Sequence, residues 1–197
     1  MISIVDRRVV PVPRRTFLGG FGQAAAGLSL IASSSAAVAA ARKTGSKDAS
    51  VDASVMQVAL ALEHEGIAAY RLAGASGLLK PGTLKLAKLF MGHHEQHRDS
   101  LASLIAKAGG KPVQPQSDDQ YVKALDLGAL KTEGDVVALA TRLEQGAASA
   151  YVGQVAALRD PKLAQLFSSL AADEAVHWTT LNNAQGLEIR PKAYLFG

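Results

Sequence analysis

Four alanine- and leucine-rich stretches of this chain each carry ionisable side chains in the middle of an otherwise apolar helical stripe. Followed at steps of three and four residues, the first reads Met56, Leu60, Glu63, Ile67, Tyr70, Gly74. The second reads Ala87, Phe90, His94, His97, Leu101, Leu104. The third reads Val137, Ala140, Glu144, Ala147, Tyr151, Gln154, and the fourth Phe167, Leu170, Glu174, His177, Leu181, Ala184. A buried carboxylate costs several kcal/mol unless it is paired or bound to a metal. One such residue is an ordinary satisfied core group; one or two on each of four helices is a constraint on the whole fold.

The breaks between the stretches set the architecture. The first runs from Asp52 to about Ser76 and stops at Gly77 and Lys80-Pro81-Gly82. The second runs from Thr83 to about Ala108 and stops at Gly109-Gly110. The third begins at Asp135, a plausible N-cap, and reaches about Leu158. Asp160-Pro161 is a cap and first-turn pair that opens the fourth, which continues to about Ala184 and ends at Gly186. Strand signals are nearly absent. Short loops make the first and last pairs antiparallel hairpins. The connection of about 26 residues between the second and third stretches, with a short helical candidate at Asp118 to Leu127, is long enough to run the length of a bundle. The fold expected is all-α, a four-helix bundle with one long crossover.

The two halves repeat. Leu62-Glu63 with Tyr70 matches Leu143-Glu144 with Tyr151, and His97 with Leu101 matches His177 with Leu181, at offsets of about 80 residues. Glu63 and Glu144 precede their turns by about 12 to 15 residues, and His94 and Glu174 follow the starts of their helices by similar numbers. At a rise of about 1.5 Å per residue all of them fall in one layer to within roughly a turn. Glu63, His94, His97, Glu144, Glu174 and His177 can therefore converge on the bundle axis, as a layer that must be paired or bound to a metal.

At this point the chain resembles the ferritin-like di-metal carboxylate superfamily, of the rubrerythrin and bacterioferritin kind, and within it secreted bacterial relatives such as desiccation-associated proteins. The family pattern is a lone Glu on the first and third helices and Glu-x-x-His on the second and fourth. Glu63, Glu144 and Glu174-Ala175-Val176-His177 match it, over about residues 52–186. The resemblance implies a metal cofactor, iron first, at two sites. The departure is His94-Glu95-Gln96-His97, where His94 stands in place of a glutamate that bridges two metals in the family. A neutral imidazole binds one metal through one nitrogen, and the site loses a negative charge. Zinc, manganese, copper or a mononuclear site then compete with a di-iron pair, and His94 is either a ligand or a hydrogen-bonding neighbour of the ligands. Glu95 lies about 100° off the stripe, and Glu65 lies on the far face from Glu63.

His64 and His93 are expected at the solvated rim. Tyr70 and Tyr151 are either core aromatics with satisfied hydroxyls or donors to the carboxylates. Trp178 is expected to pack. Gly66, Gly74, Gly92 and Gly146 fall inside helices and are expected to permit close helix approach.

Composition narrows the function. The 197 residues include no cysteine, which excludes a disulfide scaffold, an iron–sulfur protein and a thiol enzyme. The net charge of +4 comes mainly from Arg7, Arg8, Arg14 and Arg15; without residues 1–41 the chain is near neutral, and only 5% is aromatic. Neither property suits a nucleic-acid partner. Arg14-Arg15-Thr16-Phe17-Leu18, followed by a small-residue apolar run to Ala41, resembles a twin-arginine signal with Ala-x-Ala cleavage sites. The expectation is a signal peptide over 1–41, a linker over 42–51, the bundle over 52–186 and an irregular tail over 187–197. Export through the twin-arginine machinery, to the periplasm or otherwise out of the cytoplasm, is then expected, with a homodimer compatible. Two functions fit: an exported metal-binding protein, either with oxidase or peroxidase-type redox chemistry or binding metal without turnover, or a metal-free structural or stress-protection bundle of the cell envelope.

Overall fold

The computed structural model describes residues 34–189, 191 and 193–196; over 34–47 it describes the course of the backbone alone. The elements are α1 (Ser34–Gly74), α2 (Pro81–Lys107), α3 (Asp118–Ala124), α4 (Glu133–Val155) and α5 (Pro161–Ala184), with a 3-10 turn at Leu127–Ala129. No strand occurs among the described residues. The molecule is an all-α bundle of four main helices with one short helix in the crossover.

Local chemistry fixes the ends of the elements. Pro81 and Pro161 each open a helix at a position whose N–H has no partner to lose. The Asp160 side chain caps α5 by accepting from Lys162 N at 2.8 Å. α4 starts three residues earlier than its sequence suggests. Thr132 is its N-cap, and Asp135 is the returning member of a capping box, accepting from the Thr132 backbone at 2.8 Å. An acidic residue three positions inside a helix satisfies the same orphan donors as one placed at the cap, so the two are hard to tell apart from sequence. α5 ends in a Schellman turn, with Gly186 at φ +66° and Leu187 N donating to Asn182 O at 3.0 Å.

Residues 42–51, expected as a linker, are helical and belong to α1. Polar content alone does not stop a helix, and no proline falls between Ser34 and Gly74. The lone Gly45 costs about 1 kcal/mol of propensity, which surrounding alanines offset. Residues 1–33, and with them most of the signal-peptide reading, lie outside the described residues. No helix among those described is long and apolar enough to cross a membrane.

The crossover is tied along α1. Gln57 clamps it twice, donating to Lys111 O and accepting from Val113 N, each at 2.8 Å. Further along, His64 Nε2 lies 3.1 Å from Val113 O, and Arg71 donates to Asp118 at 2.9 Å. The crossover thus travels with α1 to its C-terminal end and delivers α4 antiparallel to it. There Glu133 accepts from Lys80 N at 3.1 Å and from Thr83 Oγ1 at 2.6 Å. At the opposite end the buried Asp52 accepts from Arg159 N and Asp160 N at 2.7 and 3.0 Å, pinning the α4–α5 turn to α1.

Two apolar layers result. Met56, Leu60, Leu101, Ile105, Leu158, Phe167 and Leu170 fill one end of the bundle. Phe90, Val137 and Leu181 fill the other, supported by Tyr70, Leu86 and Ala140. The polar cluster lies between them. The tail carries no regular element at its described positions, and Phe196 meets Trp178 edge-on at 5.2 Å.

Candidate metal centre

All six residues singled out by the stripes meet in the middle layer, and all are buried. Glu174 is 0% exposed, and Glu63, Glu144 and His177 are each 1% exposed, so water does not solvate these charges. The groups solvate one another instead. His94 lies at the centre. Its Nδ1 is 2.8 Å from Glu63 Oε2 and 3.7 Å from Glu174 Oε1, and its Nε2 is 3.3 Å from Glu144 Oε1. His97 Nδ1 is 3.2 Å from Glu174 Oε1 and 3.6 Å from Glu63 Oε1. His177 Nδ1 is 3.3 Å from Glu174 Oε2 and 3.4 Å from Glu144 Oε2.

These contacts divide into two overlapping ligand sets. One is Glu63, His94, His97 and Glu174; the other is His94, Glu144, Glu174 and His177. Within each set one donor atom per residue lies within 4.8 Å of the others. Glu174 belongs to both through opposite oxygens, and His94 belongs to both. The donors fit a metal on a further observation. His97 Nδ1 and Glu174 Oε1 are fully buried and make no hydrogen bond, although they sit 3.2 Å apart. Two buried polar atoms without a hydrogen bond are costly in a finished core, and an ion between them, taking the place of any proton on Nδ1, would satisfy both. Imidazole and carboxylate together suit iron, zinc and manganese.

Tyrosines lock the carboxylates in place. Tyr70 on α1 donates to Glu144 on α4, and Tyr151 on α4 donates to Glu63 on α1. The repeat in the sequence is therefore a crossed pair in space, each half holding the other half's glutamate. Burial, reinforced by the glutamate beside each phenol, raises both tyrosines above their ordinary range and keeps them donors.

Burial also disfavours charge on the six, but pairing wins at five of them. Glu63 is held at about 2 by His94 and His97 against the effect of burial, and Glu144 is held below its ordinary range by His177 and His94. Burial prevails at Glu174, which is raised. His97 is pushed up to about 10 by Glu174 and Glu63 in spite of burial. His94 and His177 are likewise raised by their carboxylates.

Two further residues, His93 and Asp173, matter that the stripes do not reveal. His93, expected at the rim, is half-buried, with Nδ1 2.9 Å from His177 Nε2 and the rings stacked at 5.1 Å. Burial and the neighbouring His177 lower its pKa. Phe90 stacks on the same ring at 4.1 Å. Asp173, largely exposed, lies 3.3 Å from His97 Nε2 and orients that ring from behind. His64 holds the crossover, and neither Glu65 nor Glu95 joins either ligand set. Among the described helical glycines, Gly66 is the one where a Cβ would meet one of the six residues. A Cβ there would lie 3.3 Å from the His94 ring, whereas Gly92 and Gly146 face open space. Between α1 and α4 a cavity of about 210 Å³ opens beside the cluster, lined by Glu63, Gly66, Tyr70, His94, Glu144 and Gly146 among others.

A bundle of two crossed helical hairpins around a buried histidine–glutamate layer defines the ferritin-like class. The family model for the ferritin-like domain matches residues 51–187, and the chain belongs to that family. A crystal structure of rv2844, a conserved hypothetical protein from Mycobacterium tuberculosis, is similar with a TM-score of 0.63 and 24% identity. The match covers 75% of this chain and 99% of that one, and the likeness is one of fold. No curated protein matches the chain.

Proposed function

We propose that this protein is an exported metal-binding member of the family, with Glu63, His94, His97, Glu144, Glu174 and His177 holding two metal ions in the middle layer. The observation that carries this reading is the pair of overlapping ligand sets together with the unpartnered His97 Nδ1 and Glu174 Oε1. Iron is the first expectation from the family; zinc, manganese and copper suit the extra imidazole. A redox-active pair would supply electron transfer to oxygen or peroxide. Around it, this chain's residues bury the donor atoms, fix the carboxylates through Tyr70 and Tyr151, and leave the cavity between α1 and α4 as an approach for a small oxidant. The twin-arginine-like segment is the support for export to the periplasm. Glu144→Ala and Glu174→Ala are expected to lose their metal, and unchanged metal content in both folded variants would contradict the reading.

A second reading has its own support. His94 lies within hydrogen-bonding distance of Glu63 and Glu144, so the network satisfies much of its own charge. A metal-free structural bundle would use it in that way. It predicts a melting temperature indifferent to chelator and to added ions.

A further inference from the structure

The family's bridging glutamate is replaced here by His94, yet the ring is shared by both ligand sets. Its two nitrogens point to opposite sides. Nδ1 faces Glu63 and Glu174 at 2.8 and 3.7 Å, and Nε2 faces Glu144 at 3.3 Å. We propose that His94 bridges the two ions as an imidazolate, one nitrogen to each. The inference rests on the metal-binding reading above and names how this site would hold its pair.

Charge supports the assignment. Two divalent ions bring four positive charges, and Glu63, Glu144 and Glu174 supply three negative ones. An imidazolate supplies the fourth, restoring the charge lost with the missing carboxylate. The ring reaches this state by losing the protons of both nitrogens to water, so that each N–H bond is replaced by a metal–nitrogen bond. No oxidation or reduction is involved.

The surroundings hold the ring across the axis. Gly66 lets the ring edge lie close against α1, where a Cβ would stand 3.3 Å from it, and the Tyr70 ring lies beside it at 5.6 Å. Because the ions bind at opposite edges of a five-membered ring, with metal–nitrogen bonds of about 2 Å, their separation should be about 6 Å. Paired ions in two-metal sites ordinarily stand about 3.5–4 Å apart.

The test is zinc loading of the full chain, with zinc content measured and the ions located by anomalous diffraction at the zinc edge. The wild type should take about two zinc ions, about 6 Å apart, with the His94 ring between them. His94→Glu, which restores a carboxylate, should also take two, separated by about 3.5–4 Å. His94→Gln has no second ligand to offer and should retain one. Two ions less than about 4 Å apart in the wild type, a ring bound to only one ion, or full two-zinc binding by His94→Gln would each overturn the bridge and leave metal binding standing. One zinc in the wild type and two in His94→Glu would do the same. No zinc in the wild type or in His94→Glu would overturn the metal-binding reading itself. The wild-type separation decides the matter even if a variant fails to fold.

Discussion

Gly66 and His94 determine one another. An alanine at 66 would put its Cβ 3.3 Å from the ring, a contact that the imidazole relieves by moving a few tenths of an ångström. The same substitution favours the helix by up to about 1 kcal/mol. Gly66→Ala should therefore leave thermal stability in chelator equal or higher while weakening zinc binding in a competition titration. Lower stability with unchanged affinity would contradict this account of the glycine. Tyr151→Phe removes the donor to Glu63 and should weaken metal binding by about 10–100-fold, measured in the same titration. Protonation gives a third prediction. Glu63, about 2 in the folded protein against an ordinary 4.5, contributes stability present above pH 4.5 and lost as pH falls through 2. His97, about 10 against 6.5, contributes stability fully present below 6.5 and lost as pH rises through 10. Melting of the chelated protein should therefore fall on both sides, with Glu63→Gln flattening the acid arm and His97→Gln the alkaline one. A melting temperature flat across that range would refute the charge network.

At the scale of elements, the caps act on stability without reaching the site. Thr132 accepts from Asp135 N at 3.2 Å in the box that opens α4. Thr132→Ala should cost about 1 kcal/mol in denaturant unfolding with metal content unchanged; loss of metal would mean that the start of α4 positions Glu144 directly. Elements are also where sequence reading has clear limits. The helices, their hairpin pairing and the six convergent residues are legible because apolar periodicity, glycine and proline breaks and the repeat all agree. The linker over 42–51 was not legible as helix, because composition distinguishes polar from apolar and not helix from coil. His93 and Asp173 could not be found from the stripes. Each lies off its helix's core line and reaches the site only because α2 and α5 come close enough for His93 to meet His177 and Asp173 to meet His97. The tyrosines' crossed bonding was foreshadowed by their spacing of seven residues from each glutamate, but its direction depends on α1 and α4 being antiparallel.

At the scale of the molecule, two apolar layers enclose a polar one that is expensive to bury. The free energy that the fold invests there is returned when an ion enters, since binding to the folded state alone stabilises it by about 2.7 kcal/mol at a hundredfold excess over Kd. Adding zinc or manganese to the chelated protein should raise its melting temperature, and acidification should reverse that gain because the ligands must shed protons to bind. The most direct test of the metal centre is elemental analysis of the untagged protein purified from its native host. The account predicts about two equivalents of metal per chain. No bound metal, together with no shift in melting temperature on adding iron, manganese, zinc or copper, would contradict it and leave the six residues as a self-paired structural network.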